Sequence, residues 1–156
     1  MHLPYLDAVI KEAMRLHPSV GLLLERHVPP GNAQICGQHI PGGTIIGINA
    51  CVLQHDQVVY PKPGKFIPER CLESSEEQLK QMEQSFFAFD AGSRTCIGRN
   101  ILLMEMVKIV SQLLRKFEVT LTYWDRGWKT KNSWFVQKGQ YVIFWRGINS
   151  RQTTMC

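Results

Sequence analysis

The stretch FFAFDAGSRTCIGRN, residues 86–100, contains the arrangement on which the remainder of the chain depends. Its single cysteine, Cys96, follows Arg94 by two residues and stands between Gly92 and Gly98. An apolar helical pattern begins directly after it. The sulfur is therefore expected at a helix N-terminus, where unpaired backbone N–H groups and the helix dipole favour a negatively charged thiolate. The two glycines allow tight turns, so the loop can present the sulfur to a flat, bulky ligand.

Phe89, seven residues before the cysteine, completes the spacing Phe-x-x-Gly-x-Arg-x-Cys-x-Gly. A lone cysteine in a cytosolic domain is more often a small buried hydrophobe than a ligand, and a buried structural cysteine is the alternative here. The complete spacing favours a role for Cys96 as a ligand over a buried structural role. We therefore interpret Cys96 as an axial ligand to haem iron.

Composition limits the other function classes. The chain has 156 residues, with 44% hydrophobic and 20% charged residues, which predicts one modest globular domain. A net charge of +5 suits an acidic partner, but the basic residues form no run typical of nucleic-acid binding. No segment approaches the roughly 18 apolar residues of a membrane span, so we expect no membrane anchor in this chain.

The cysteines are five, scattered and without a C-x-x-C pair. This pattern argues against a disulfide framework and against a zinc knuckle. It favours a reducing, intracellular setting.

The first element is a helix predicted over Leu3 to His17, ended by Pro18. Glu12 and Arg15 are three residues apart on it and share one face, so they can pair. As a surface ion pair this would contribute only a few tenths of a kcal/mol. As a buried pair beneath a cofactor loop it would matter far more, since losing one partner leaves an uncompensated charge.

The middle of the chain predicts a small antiparallel sheet with turns marked by glycine and proline. Val20 to Leu24 indicates a buried strand, Ala33 to Ile40 a second strand, and Thr44 to Val52 a third whose later part could be helical. Gln54 to Leu72 is rich in proline and is predicted as a meandering loop. The polar segment Ser74 to Gln84 is predicted as a solvated loop or short helix.

The last third begins with a helix predicted over Ile97 to Phe117, which has an apolar stripe and basic residues near its end. Alternation within Glu118 to Trp145 predicts strands joined through an aromatic loop at Trp134-Phe135. We expect residues 1–148 to form the folded unit and residues 149–156 to be a flexible tail. The fold class predicted is α+β, mainly helical.

Together these motifs resemble the C-terminal portion of the cytochrome P-450 haem-thiolate monooxygenases, and look most similar to fungal microsomal members. The helix carrying Glu12-x-x-Arg15 resembles the K helix of that family, and Phe66-x-Pro68-Glu69-Arg70 resembles its meander motif. The Cys96 stretch resembles its haem-binding loop, and Ile97 to Phe117 its L helix. The resemblance implies a K helix, small antiparallel sheet, meander, cysteine loop, L helix and terminal β hairpin, in that order.

The resemblance also implies roles for individual residues. Cys96 would be the proximal thiolate, which is both the iron ligand and the catalytic residue. Phe89 would pack against the haem on the sulfur side, while Arg94 and Arg26 would bind the haem propionates. Other residues would support the site or line the substrate pocket: Gly92 and Gly98 in the loop, the buried network of Glu12, Arg15 and Arg70, and Val20 to Leu24 with Trp134-Phe135 at the pocket.

The implied function is insertion of one oxygen atom of O2 into a small apolar organic substrate, with haem b (iron protoporphyrin IX) as cofactor. Electrons would come from an NADPH-cytochrome reductase whose acidic face docks on basic residues near the loop: Arg99, Lys108, Arg115 and Lys116. The parent protein would lie at the endoplasmic reticulum membrane. Two alternatives remain open: a truncated, inactive product that lacks the distal haem wall, and an unrelated structural domain with a buried cysteine.

Overall fold

The computed structural model describes residues 3–120, together with the backbone of residues 121, 130–131, 137–138 and 143–147. This part of the chain contains five α-helices and eight short strands. In order they are α1 (Pro4–Leu16), β1 (Leu24–His27), β2 (Ala33–Ile35), β3 (Gln38–Ile40), β4 (Ile45–Ile48), α2 (Ala50–Gln54), α3 (Arg70–Glu73), α4 (Glu76–Gln84), a 3₁₀ turn (Gly92–Arg94), α5 (Arg99–Lys116), β5 (Phe117–Leu121), β6 (Thr130–Lys131), β7 (Gln137–Lys138) and β8 (Ile143–Gly147).

Helix α1 is the predicted first element, with Pro4 in its first turn, where its missing N–H costs no hydrogen bond. Its buried face combines two apolar residues, Ala8 and Ile10, with two charged ones, Glu12 and Arg15. A helix that buries a carboxylate and a guanidinium side by side needs partners for both groups. Those partners come from the loop between α2 and α3.

The predicted strand at Val20 to Leu24 is wrong in position. The strand is β1, Leu24–His27, which pairs antiparallel with β4 so that Leu24 lies opposite Ile48. Leu22 and Leu23 precede it and are 46% and 48% exposed. The apolar run misled the prediction because pairing with β4, and not hydrophobicity, selects the residues that become the strand.

The single strand predicted over Ala33 to Ile40 is a two-stranded hairpin. Strands β2 and β3 pair antiparallel, and Cys36 and Gly37 form the connection between them. Both residues have positive φ, at 49° and 77°, the combination that a two-residue type I′ hairpin turn requires. The third predicted strand is confirmed as β4, and its later part is the short helix α2.

The loop predicted over Gln54 to Leu72 is confirmed, apart from the start of α3 at Arg70. The polar segment after it takes the helical alternative as α4, with the Ser75 side chain accepting a hydrogen bond from the Gln78 backbone N–H at its N-terminus. Although most of α4 is polar, Met82 is buried, and its carbonyl accepts a 2.7 Å hydrogen bond from the Tyr60 hydroxyl. This contact joins α4 to the loop.

The long predicted helix is confirmed as α5, and β5 after it pairs antiparallel with β8, Phe117 lying opposite Gly147. The aromatic loop predicted at Trp134-Phe135 and the tail predicted at residues 149–156 lie outside the described residues. Across the described part, no helix has the length and apolar content needed to cross a membrane.

Candidate haem-thiolate site

Residues 86–98, the Cys96 loop, fold back on themselves just before α5. The Cys96 backbone N–H donates to the Phe89 carbonyl at 2.9 Å, which closes the loop. Inside it, both the backbone N–H and the hydroxyl of Thr95 donate to the Gly92 carbonyl, at 3.2 and 2.9 Å. Gly92 has φ +67°, a left-handed conformation that costs glycine little. The motif positions Phe89, Gly92 and Cys96 are therefore the ones whose backbones form and close this turn.

The loop presents the Cys96 side chain outward. Cys96 is exposed, and it lines a cavity of about 250 Å³ together with Phe89 and Arg94. The interpretation of Cys96 as a buried structural cysteine is therefore wrong. Cys71 shows the contrast: it is half-buried, and burial raises the pKa of its thiol.

Gly98 lies against the sulfur. A Cβ placed on this glycine would be 3.9 Å from Cys96 Sγ, so a longer side chain there would extend beside the ligand atom. Glycine leaves that side of the sulfur open. The position also immediately precedes α5, whose first turn begins at Arg99.

The chemistry of the cavity fits haem. Its walls include apolar side chains suited to a flat porphyrin, and its polar edge carries a guanidinium suited to a propionate carboxylate. A thiol faces the same space, which is the ligand atom that a haem-thiolate centre requires. The lining includes Pro18, Val20, Leu24, Ala50, Phe89, Arg94, Cys96 and Leu102.

The second propionate candidate, Arg26, lies on β1 beside the Cys96 loop. Its Nη2 donates to Asp90 Oδ2 at 2.5 Å, and its Nη1 donates to the Glu25 carbonyl at 2.8 Å. The Arg26 side chain is 38% exposed and that of Asp90 is 18% exposed. Asp90 belongs to the site, yet the sequence motif gives no reason to single it out.

Glu12, Arg15 and Arg70 meet in the interior and form what we term the Glu12 network. Arg15 binds the Glu12 carboxylate with two parallel hydrogen bonds, Nε to Oε2 at 2.8 Å and Nη2 to Oε1 at 2.9 Å. Arg70 Nε donates to Glu12 Oε1 at 3.1 Å, as does the Ile67 backbone N–H. The predicted partners are therefore brought together, and one carboxylate binds two guanidinium groups.

Arg15 also holds the loop between α2 and α3. Its guanidinium donates to three backbone carbonyls: that of Gln54, the last residue of α2, at 2.6 Å, and those of Pro63 and Lys65 in the loop at 2.7 and 3.2 Å. Arg15 and Glu12 are each only 1% exposed. The alternative of a surface ion pair is excluded, because both charges are out of water and are matched by hydrogen bonds.

The environment of Glu12 keeps it ionised. Burial alone would raise its pKa, but hydrogen bonds from Arg15 and the Ile67 N–H, with the positive charges of Arg15 and Arg70, outweigh that effect. The net result is a pKa lowered from its ordinary value of 4.5.

Two supports of the network were missed in the sequence. Gln54 is fully buried, and its Nε2 donates to the Arg15 carbonyl at 2.8 Å. The Tyr60 ring lies under the Arg15 guanidinium, 5.0 Å from ring centroid to Cζ, and burial raises the pKa of Tyr60 to about 12. Gln54 ends the short helix α2 and Tyr60 lies in the loop after it, where the sequence has no periodicity that would mark either residue. The one available signal was Tyr60, an aromatic residue directly before Pro61 in a predicted loop.

Helix α1 connects the Glu12 network to the Cys96 loop. Its Glu12 and Arg15 face the meandering loop, while Lys11 Nζ lies 5.6 Å from the centroid of Phe86 in the Cys96 loop. On the other side of that loop, the Arg99 guanidinium lies 5.7 Å from the centroid of Phe89. The thiol is thus presented by a loop in which two of the three aromatic residues, Phe86 and Phe89, lie against basic side chains of α1 and α5.

Comparisons with known proteins show the family and the fold. The family model described as Cytochrome P450 matches residues 1–142. The chain is 45% identical over 136 residues to a pisatin demethylase of Fusarium vanettenii, covering 86% of this chain and 26% of that protein. It is 40% identical over 141 residues to the cytochrome P450 monooxygenase ACRTS1 of Alternaria alternata, covering 90% of this chain and 37% of that protein.

A solved structure, the haem domain of a mutant cytochrome P450DA, superposes with a TM-score of 0.76 at 20% identity, covering 91% of this chain and 31% of that one. This likeness confirms the predicted fold class. The chain spans about a quarter to a third of the length of these proteins.

Proposed function

The chain belongs to the cytochrome P450 family, and we propose that it supplies the proximal side of a haem-thiolate monooxygenase site, with Cys96 as the iron ligand. The observation that carries the proposal is the exposed Cys96 thiol in a cavity shared with Phe89 and Arg94. The family match supports a haem cofactor. We propose that its form is haem b, held within residues 1–148.

Each residue of the site has a defined task in this proposal. Cys96 binds the iron, and the closed turn through Gly92 fixes the direction of its Sγ. Phe89 is 8% exposed and lines the cavity together with Cys96, where it would pack against the haem. Arg94 and Arg26 provide guanidinium groups for the two propionates, and Gly98 leaves room beside the thiolate.

When bound, the haem would supply the oxygen chemistry, which is O2 activation and transfer of one oxygen atom to an organic substrate. The thiolate would favour it by donating electron density to the iron. The protein's part is to keep Cys96 aligned. The Glu12 network ties α1 to the meandering loop, and α1 in turn contacts Phe86 of the Cys96 loop. We propose a small apolar substrate, whose pocket would include the apolar run Val20 to Leu24; Leu22 and Leu23 in that run are 46% and 48% exposed.

For the electron donor we propose an NADPH-cytochrome reductase that docks through an acidic face, at the endoplasmic reticulum membrane in the complete protein. The four basic residues named above are exposed on α5. They do not share one face, because at 3.6 residues per turn Arg99 lies opposite Lys108 and Arg115. Lys108 and Arg115 are two turns apart and point the same way, so we assign the docking contact to this pair.

Haem binding by the 156-residue chain tests the proposal. After reconstitution with haemin, we expect the reduced, CO-bound spectrum to show the red-shifted Soret band of thiolate-ligated haem, and Cys96→Ser to abolish it. The matched control is Cys51→Ser, which changes an exposed cysteine on α2, outside the lining of the cavity, and should leave the band intact. Loss of the band in both variants, or in neither, would contradict Cys96 as the ligand.

A further inference from the structure

The Arg26–Asp90 ion pair joins the two sides of the haem cavity. Arg26 is on β1 and Asp90 is in the Cys96 loop, 64 residues later. Leu24, two residues before Arg26, lines one wall of the cavity, and Asp90 lines it together with Arg94 and Cys96. The pair therefore holds β1 against the loop that carries the thiol.

The backbone conformation and hydrogen bonds of Asp90 fix the position of its carboxylate. Its backbone has φ +61°, a left-handed conformation that non-glycine residues rarely adopt and that aspartate tolerates better than most. Its Oδ1 accepts from the Ala91 backbone N–H at 2.7 Å, while Oδ2 accepts from Arg26. One carboxylate thus fixes the local turn and the partner strand together.

The bond leaves most of the Arg26 guanidinium available. Arginine has five N–H donors, of which one is used on Asp90 and one on the Glu25 carbonyl. The Arg26 side chain, 38% exposed, is held against the Cys96 loop by its charged partner, and that partner lines the cavity. A guanidinium ordered before the ligand arrives loses less conformational freedom when it binds a carboxylate.

We propose that Asp90 is a positioning residue for the cofactor: it holds Arg26 where a haem propionate binds and so slows haem release. This inference rests on the proposed function. The opposite effect is physically possible, because a carboxylate can compete with a propionate for the same arginine. The geometry of the ion pair argues for positioning, since Asp90 occupies only one of the five N–H donors of Arg26.

Haem release from the reconstituted chain decides between these effects. The release rate is measured by transfer of haem to excess apomyoglobin, for the unsubstituted chain, Asp90→Asn, Arg26→Gln and the double variant. We expect each single variant to release haem about tenfold faster, as loss of a charge-assisted hydrogen bond predicts. The double variant should release haem no faster than Arg26→Gln, because Asp90 has no guanidinium left to position once Arg26 is replaced.

Asp56→Asn is the matched control, since Asp56 Oδ1 also accepts a hydrogen bond within its own loop, from the Val58 N–H at 2.8 Å. It should release haem at the unsubstituted rate. Asp90→Gly, which keeps the left-handed backbone, provides a second test if Asp90→Asn unfolds. Release that is unchanged or slower in the Asp90 variants overturns the inference alone. Failure of the unsubstituted chain to bind haem overturns the proposed function and, with it, this inference.

Discussion

Arg15 shows how a single side chain can organise a loop that has no regular structure. Its guanidinium meets both Glu12 oxygens and three backbone carbonyls, and its plane lies over the Tyr60 ring. Lysine could not replace it, because an ammonium group offers a point charge and no planar fork. The network is therefore specified by arginine in particular.

The first prediction concerns removal of that side chain. Arg15→Ala leaves the Glu12 charge buried without its bidentate partner, and we expect the chain to lose about 3–5 kcal/mol of unfolding free energy. Urea titration followed by circular dichroism measures the loss. Arg115→Ala, an exposed arginine on α5, is the control and should change stability by no more than about 0.5 kcal/mol. Equal effects of the two substitutions would contradict the network's role.

Glu12 gives the chain a defined acid sensitivity. Its pKa is lowered in the folded state, so the unfolded chain binds more protons between the lowered value and the ordinary value of 4.5. The stability that Glu12 contributes is therefore fully present above pH 4.5 and is lost as the pH falls through the folded-state pKa. We expect unfolding free energy, measured from pH 7 to pH 3, to decrease more steeply below pH 4.5 in the unsubstituted chain than in Glu12→Gln. Parallel pH profiles would show that Glu12 does not govern acid unfolding.

At the level of elements, the β2–β3 hairpin depends on its two turn residues. Cys36 and Gly37 both have left-handed φ, and an added Cβ at position 37 would meet no neighbour within 4 Å. Any cost of substituting Gly37 must then come from backbone conformation and not from crowding.

We therefore expect Gly37→Ala to destabilise the chain by about 1 kcal/mol. Gly64→Ala is the control: its Cβ would also be unobstructed, but its backbone is not left-handed. It should be neutral within about 0.5 kcal/mol. The comparison is made by thermal unfolding of the two variants at the same concentration. A neutral Gly37→Ala would mean that the turn is not held in this conformation.

The same hairpin explains what the sequence could and could not predict. Helices α1 and α5 were predictable because their apolar spacing and terminal residues are local signals. The turn at Cys36-Gly37 was missed because cysteine is not a usual residue at positive φ, and the shift of β1 was missed because strand pairing is a long-range choice. Cys96, Glu12, Arg15 and Arg70 were found through motif spacing. Asp90 and Gln54 were not, because each acts through a partner about 40 or more residues away.

At the scale of the whole molecule, the described interior is small and contains charged and polar side chains beside its apolar ones. The largest fully buried side chains are Arg15, Gln54 and Glu12, whereas α5 has no buried residue in the described part of the chain. Beside it, a cavity of about 530 Å³ runs between α1 and α5, lined by apolar residues that include Leu6, Val9 and Val110. Hydrogen bonds and ion pairs thus do much of the organising that an apolar core usually does.

This exposure predicts association of the 156-residue chain. Ile101 and Ile109 on α5 are 60% and 65% exposed, and clustered apolar surface of this kind drives self-association in water. We expect the double variant Ile101→Lys/Ile109→Lys to shift the chain toward monomer in sedimentation velocity, with unchanged helix content by circular dichroism.

Charge alone could have the same effect, so the control must add the same two lysines elsewhere. Val52 and Val58 are 71% and 81% exposed and lie outside α5, so Val52→Lys/Val58→Lys raises the net charge equally without changing the α5 surface. If the α5 surface drives association, only the isoleucine pair will increase the monomer fraction. If both pairs act equally, general charge repulsion governs association and the apolar surface of α5 does not.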